Sequence, residues 1–199
     1  SPMEVEFTKD GIIFNKVLNQ LDDLVLKTTS ILNIVKADYV IISGYVAILF
    51  GRSRSSEDID MILAKMAPGS FKTLWDSMIA EFDCLNASSA DDAYESLSEH
   101  VAIRFARKGE FMPNVELKFA KRSLDERTLE DRQKVILNGN IIYISPFEMQ
   151  IAFKLQLGSE KDIEDARYLY RIFKDRLDMK ALEQAATKLQ VREQLQRYL

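Results

Sequence analysis

The chain has 199 residues and a mass of 22.9 kDa, with 47% hydrophobic and 29% charged residues, which describes an ordinary globular protein long enough to bury a sizeable core. Its balance is mildly acidic, 27 Lys and Arg against 31 Asp and Glu, which disfavours extended duplex DNA and favours a small molecule, a nucleotide or a short polymer end as substrate. No apolar run approaches the ~20 residues of a membrane helix, no secretory leader pattern is visible, and the single cysteine, Cys84, excludes an internal disulfide, so a cytoplasmic setting is expected.

Ser1-Pro2 ahead of Met3 reads as the remnant of a tag, and the start of the chain is set aside. From Phe14 to Val35, apolar residues at Val17, Leu18, Leu21, Leu24 and Val25 have helical spacing. Tyr39 to Ser43 is a short apolar run of the buried-strand kind, stopped by Gly44 and followed by a helix from Tyr45 to about Phe50. The polar turn Gly51–Ser56 leads into a strand, Glu57 to Leu63. Ser70 to Phe82 is helical by period with Ser70 as N-cap, and Asp91 to Glu99 forms another short helix. Two alternating strands, His100–Ala106 and Asn114–Ala120, are joined through Lys108–Pro113, and Asn138-Gly139 turns a second hairpin between Lys134 and Ile144. From Pro146 onward the pattern is helical only, beginning with a helix bounded by Pro146 and Gly158 and another capped by Ser159. The expected architecture is α/β: a small mixed twisted sheet flanked by helices over residues 1–145, and a helical C-terminal part, 146–199, packed on it.

Asp58 and Asp60 stand two apart in a strand and therefore share one face, while Ile59, Met61 and Leu63 share the other. Alternate Cα atoms lie ~6.6 Å apart, close enough for both carboxylates to meet one cation. Two adjacent anions on a core strand are unfavourable unless positive charge sits between them, and a divalent cation with oxygen ligands is the simplest candidate. In Asn114–Ala120, Asn114, Glu116 and Lys118 lie opposite the apolar face, so Glu116 completes a three-carboxylate cluster if the two strands are neighbours. Such a cluster suits a two-metal phosphoryl-transfer site. The competing reading is an ordinary pair of surface acids with Glu116 bonded to Arg104 across the hairpin.

Gly44, a helix, the turn Gly51–Ser56 and then Asp58-Ile59-Asp60 resemble the signature of the nucleotidyltransferase (DNA polymerase β-like) superfamily. The segment Ser43–Leu63, with Gly44, Ala47, Gly51, Arg52 or Arg54, Ser56, Asp58 and Asp60, looks closest to AbiE-type abortive-infection toxins and related minimal nucleotidyltransferases, as do Lys154, Lys161, Asp162 and Asp165 downstream. Two positions depart from the pattern: Tyr45 stands where Gly or Ser is common, and Glu116 where Asp is usual.

The resemblance implies transfer of a nucleoside monophosphate from an NTP to an acceptor hydroxyl with release of pyrophosphate. Asp58, Asp60 and Glu116 would be the catalytic, metal-binding acids, with Mg²⁺ or Mn²⁺ as cofactor. Gly44, Tyr45, Arg52, Arg54, Ser56, Lys154 and Lys161 would be substrate-binding residues. It leaves the acceptor open among a tRNA end, a protein, a small molecule and another nucleotide, and implies a cognate antitoxin or other partner protein. The alternative is a non-catalytic nucleotide-sensing or partner-binding module of the same fold. Elsewhere, Lys161 four residues before Asp165 also fits a plain helical ion pair. His100 alone supports no zinc set, Cys84 reads as an inert thiol, and Tyr168, Tyr170 and Phe173 read as a helix packing on a core.

Overall fold

The structure, a computed structural model, describes residues 4–199; the Ser1-Pro2 reading lies outside them. Among the described residues nine strands form one mixed sheet: β1 (Val5–Thr8), β2 (Gly11–Phe14), β3 (Tyr39–Ile42), β4 (Asp58–Leu63), β5 (Phe82–Cys84), β6 (Ile103–Arg107), β7 (Asn114–Phe119), β8 (Gln133–Leu137) and β9 (Asn140–Ile144). Their order across the sheet is β1-β2-β8-β9-β3-β4-β7-β6-β5. The helices are α1 (Gln20–Ile34), α2 (Gly44–Leu49), α3 (Pro68–Glu81), α4 (Ala90–Ser98), α5 (Ser123–Glu130), α6 (Phe147–Leu157), α7 (Glu160–Phe173), α8 (Met179–Lys188) and α9 (Arg192–Tyr198). The mixed α/β class, a twisted sheet with flanking helices and a helical C-terminal part, is as expected.

Several local expectations needed correction. The start of the chain is no loose lead-in: β1 and β2 pair antiparallel, and β2 continues the sheet beside β8. The first helix begins only at Gln20, where Asn19 accepts from the Asp22 backbone and the Asp22 carboxylate accepts from the Asn19 backbone, a capping box. Val17 is 93% exposed and outside it. The next long helix starts at Pro68, whose missing N–H costs nothing in the first turn, and Ser70 is not its cap. β5 and α5 are too short and too mixed in polarity for period alone to reveal.

The two faces of the central strands carry different burdens. Ile41, Ile59, Met61, Leu63, Val115, Leu117 and Phe119 join the main core with residues of α1, α2, α3, α4, α6, α7 and α8. On the opposite face Val40, Ile62, Ala120 and Leu129 form a small second cluster, and the rest of that face is where the acids stand. Aromatic packing ties the helical tail to the sheet-bearing part: the Phe50 ring lies 5.3 Å from Phe14, 5.5 Å from Phe147 and 4.9 Å from Phe173. That contact brings α7 alongside α2 and the turn that follows it.

Candidate active site

β4 and β7 are parallel neighbours with Asp58 opposite Asn114, Asp60 opposite Glu116 and Ile62 opposite Lys118. Residues opposite one another in register share a face, so Glu116 stands beside Asp60. One oxygen from each of Asp58, Asp60 and Glu116 lies within 4.8 Å of the others. The condition that the sequence left open, adjacency of the two strands, is therefore met. The other reading is met too: β6 pairs Arg104 with Glu116, and the Arg104 Nη1 donates to Glu116 Oε1 at 2.9 Å. The guanidinium occupies one oxygen of one acid and leaves the rest of the cluster open.

The acids carry the electrostatic signature of crowding. Burial pushes the Asp58 carboxyl above its ordinary value, and the charge of Asp60 adds to this; the charges of Arg104 and Lys161 and the Ser56 hydroxyl oppose it. Burial, with a hydrogen bond and charge from Asp60, pushes Glu116 from 4.5 up to about 7 against the pull of Arg104. Three oxygen donors with weakly compensated charge are the donor set a hard divalent cation prefers. Asp58, Asp60 and Glu116 fit a divalent cation on chemistry as well as spacing.

A buried ion cluster holds the segment leading into β4. Asp165 on α7 is fully buried and accepts from Arg52 Nε at 2.5 Å, from Arg54 Nε at 3.0 Å and Nη2 at 2.8 Å. Lys154 Nζ, on a residue only 2% exposed, contacts Asp165 Oδ2 at 3.1 Å and donates to Asp162 Oδ1 at 2.9 Å. Burial works against ionisation of Asp165, but hydrogen bonds from Arg54 and Arg52 and the charge of Lys154 outweigh it and hold the carboxyl below its usual range. Tyr168, one turn further along α7, donates its hydroxyl to the Phe50 carbonyl at 2.7 Å.

This arrangement sets where the expected substrate-binding residues stand. The Lys154 ammonium is enclosed between Asp162 and Asp165. Arg54 spends its remaining Nη1 on the Ser55 carbonyl and is likewise internal. Arg52 uses only Nε, leaving its two terminal nitrogens without a hydrogen-bond partner among the described residues. Tyr45 is 1% exposed, and its hydroxyl donates to Asp22 Oδ1 at 2.7 Å inside the core, so its phenol does not reach the acid face. Lys161 is exposed and makes no ion pair with Asp165, which is already saturated; its charge acts on Asp58 instead. Ser56 donates to the Asp58 carbonyl at 2.9 Å, closing the turn into the strand.

Gly44 has a specific steric reason. A Cβ at that position would run into the Arg54 guanidinium, which Asp165 holds in place. One residue earlier, Ser43 adopts φ 70°, ψ −151°, a region almost reserved for glycine and costing about 1–3 kcal/mol. It is pinned there by Gln150, whose Nε2 donates to the Ser43 carbonyl at 2.7 Å and whose Oε1 accepts from the Ser43 amide at 3.3 Å. Neither the strained Ser43 nor its Gln150 partner was legible beforehand, because the partners lie 107 residues apart.

No protein-family model and no curated protein matches the chain. Among solved structures it is similar to an antigenic nucleotidyltransferase-like protein from Paracoccidioides brasiliensis, at 20% identity and TM-score 0.51 over 87% of this chain and 91% of that one. It is also similar to the antibiotic-resistance factor ANT(2'')-Ia, at 10% identity and TM-score 0.53 over 88% of this chain and 94% of the other. The fold is nucleotidyltransferase-like. At these identities the likeness is one of fold, and the acid face of this nucleotidyltransferase-like sheet has to be judged on its own residues.

Two measurements check the geometry. Gly44→Ala is expected to displace Arg54 from Asp165 and lower the thermal midpoint by the equivalent of about 2–4 kcal/mol, since a buried carboxylate loses part of its pairing; an unchanged midpoint contradicts the steric role. The raised carboxyl of Glu116 sets the sign of a pH effect. The folded protein keeps that proton to higher pH than the unfolded chain, so its contribution to stability is present below about 4.5 and is lost as pH rises through about 7. Without divalent cations, thermal melts are expected to show stability falling over that window in the wild type and much less in Glu116→Gln.

Proposed function

We propose that the chain is a metal-dependent nucleotidyltransferase that moves a nucleoside monophosphate from an NTP to an acceptor hydroxyl and releases pyrophosphate. The observation that carries this reading is the register of β4 against β7, which places Asp58, Asp60 and Glu116 on one open face with oxygens within 4.8 Å of one another. Asp58 and Asp60 hold the cations, with Glu116 as the third ligand. Bound there, divalent cations would supply neutralisation of the triphosphate and acidification of the acceptor hydroxyl. Glu116, with its carboxyl near neutrality, is suited to accept a proton at its free oxygen.

The remaining residues position and screen. Arg52, whose two terminal nitrogens have no hydrogen-bond partner among the described residues, and Lys161 are the cations suited to meet phosphate oxygens, with Gly44 and Ser56 shaping the turn beside them. Lys154 and Arg54 act at one remove: with Asp165 they hold the loop from which Arg52 projects. Next along the same face, past Asp60 and Glu116, lies a small cavity of about 30 Å³ lined by Ile42, Ile62, Leu124, Met149 and Phe153 with Lys118, too small to seat a nucleoside. Catalysis of this type rests on positioning and charge neutralisation.

The tying up of Lys154 and Arg54 inside the protein favours a second reading, a nucleotide-sensing or partner-binding module, as in a toxin–antitoxin pair. Calorimetric titration with each NTP, with and without Mg²⁺, followed by a pyrophosphate-release assay in the presence of RNA, protein or small-molecule acceptors, separates the two. Asp60→Asn is expected to lower Mg²⁺-dependent turnover by about 100-fold or more while the thermal midpoint holds or rises, because one of three mutually repelling charges is removed. Undiminished turnover, or nucleotide binding without pyrophosphate release in the wild type, contradicts the catalytic reading.

A further inference from the structure

The register of β4 and β7 does more than bring three acids together. It builds a square of four oxygen-bearing side chains: Asp58 and Asp60 along one strand, Asn114 and Glu116 along the other, with Asp58 opposite Asn114 and Asp60 opposite Glu116. Neighbouring strands lie ~4.8 Å apart and alternate residues ~6.6 Å apart along each strand, so every corner is within side-chain reach of the next. Three corners are carboxylates and the fourth is a carboxamide.

Asn114 is 7% exposed, and its Oδ1 is a buried oxygen without a hydrogen-bond partner among the described residues. The other end of the amide is engaged, with Nδ2 donating to the Phe111 carbonyl at 3.3 Å. That bond fixes which end is which, since a carbonyl can only accept, and it leaves the oxygen as the end that lacks a partner. Its neighbours on the face cannot supply one. Across one side is Asp58 and along the strand is Glu116, both acceptors, while across the other side β6 presents the methyl group of Ala106. A buried acceptor among acceptors calls for a donor from outside the protein. A hard cation between Asp58 and Asp60 meets that demand, because carboxamide oxygens ligate divalent cations as carboxylates do.

We propose that Asn114 is a fourth ligand of the acidic centre, its Oδ1 coordinating the cation on the Asp58 side. This inference rests on the metal-dependent reading above and adds to it a neutral oxygen that completes the ligand square without further charge. The neutrality matters: a fourth carboxylate would deepen the repulsion that, after burial, raises the carboxyls of Asp58 and Glu116, whereas a carboxamide adds a donor atom at no such cost.

The test is a titration of the full chain with Mn²⁺ alone, read by electron paramagnetic resonance, with thermal melts as the check on folding. Asn114→Ala is expected to bind Mn²⁺ about 10-fold more weakly than wild type while keeping its fold, because it removes an unpaired acceptor together with one long hydrogen bond. Asn114→Asp keeps an oxygen at the same place and loses the Nδ2 link to Phe111; it is expected to bind Mn²⁺ at least as tightly as wild type. Wild-type affinity in Asn114→Ala overturns the proposal. Weakening in Asn114→Asp equal to that in Asn114→Ala overturns it as well, since the loss then follows the Phe111 bond and not the oxygen. Mn²⁺ binding that depends on Asp60 but not on Asn114 removes this ligand and leaves the catalytic reading standing, whereas no Mn²⁺ binding by the wild type removes both.

Discussion

Three carboxylates on one sheet face, with oxygens within 4.8 Å of one another, set the terms for the rest of this molecule. At that separation each pair of charges repels by about 3–4 kcal/mol for an effective dielectric near 20. A fold can carry such a group only if something positive answers it. Among the described residues the answer is partial: Arg104 reaches one oxygen of Glu116, Lys161 acts on Asp58 through space, and burial together with the hydrogen bond and charge of Asp60 leaves the Glu116 carboxyl raised to about 7. An incompletely balanced cluster on a rigid parallel strand pair is a poor structural feature and a good cation site.

The rest of the fold serves to keep that face where it is. Asp165 gathers Arg52, Arg54 and Lys154 from two other segments, and the packing of Arg54 over Gly44 links the loop before β4 to the start of α2. Replacing Asp165 alone would leave three cations around a buried space, so the cluster is an all-or-none device. Gln150 performs the equivalent task on β3, holding Ser43 in a conformation that serine would not otherwise keep. Both anchors come from the helical tail, α6 and α7, which thus belongs functionally to the acid face.

How much of this was legible beforehand follows from the range of the interactions. Strand periodicity placed Asp58, Asp60 and Glu116 on their faces, since side-chain alternation is a local property, and the pairing of Arg104 with Glu116 followed from a short hairpin. The neighbourhood of β4 and β7 was conditional, because residues 61–113 lie between Asp60 and the strand that carries Glu116. The internal partners of Lys154, Arg54 and Tyr45 were out of sight: an ionic or phenolic side chain looks available in a sequence until its long-range partner, Asp165 or Asp22, is seen. β1, β2, β5 and α5 escaped for a plainer reason, being three to eight residues long and without enough period to read.

The central claim is that the Asp58–Asp60–Glu116 face holds divalent cations. Crystals grown with Mn²⁺ and a non-hydrolysable NTP analogue, measured for anomalous scattering, test it directly. The account predicts anomalous peaks within about 2.5 Å of the carboxylate oxygens of Asp58 and Asp60, with the analogue's phosphates bound on the same face. Ordered analogue with no peak between those acids, and Arg104 still closed on Glu116 as their only cation, would contradict it.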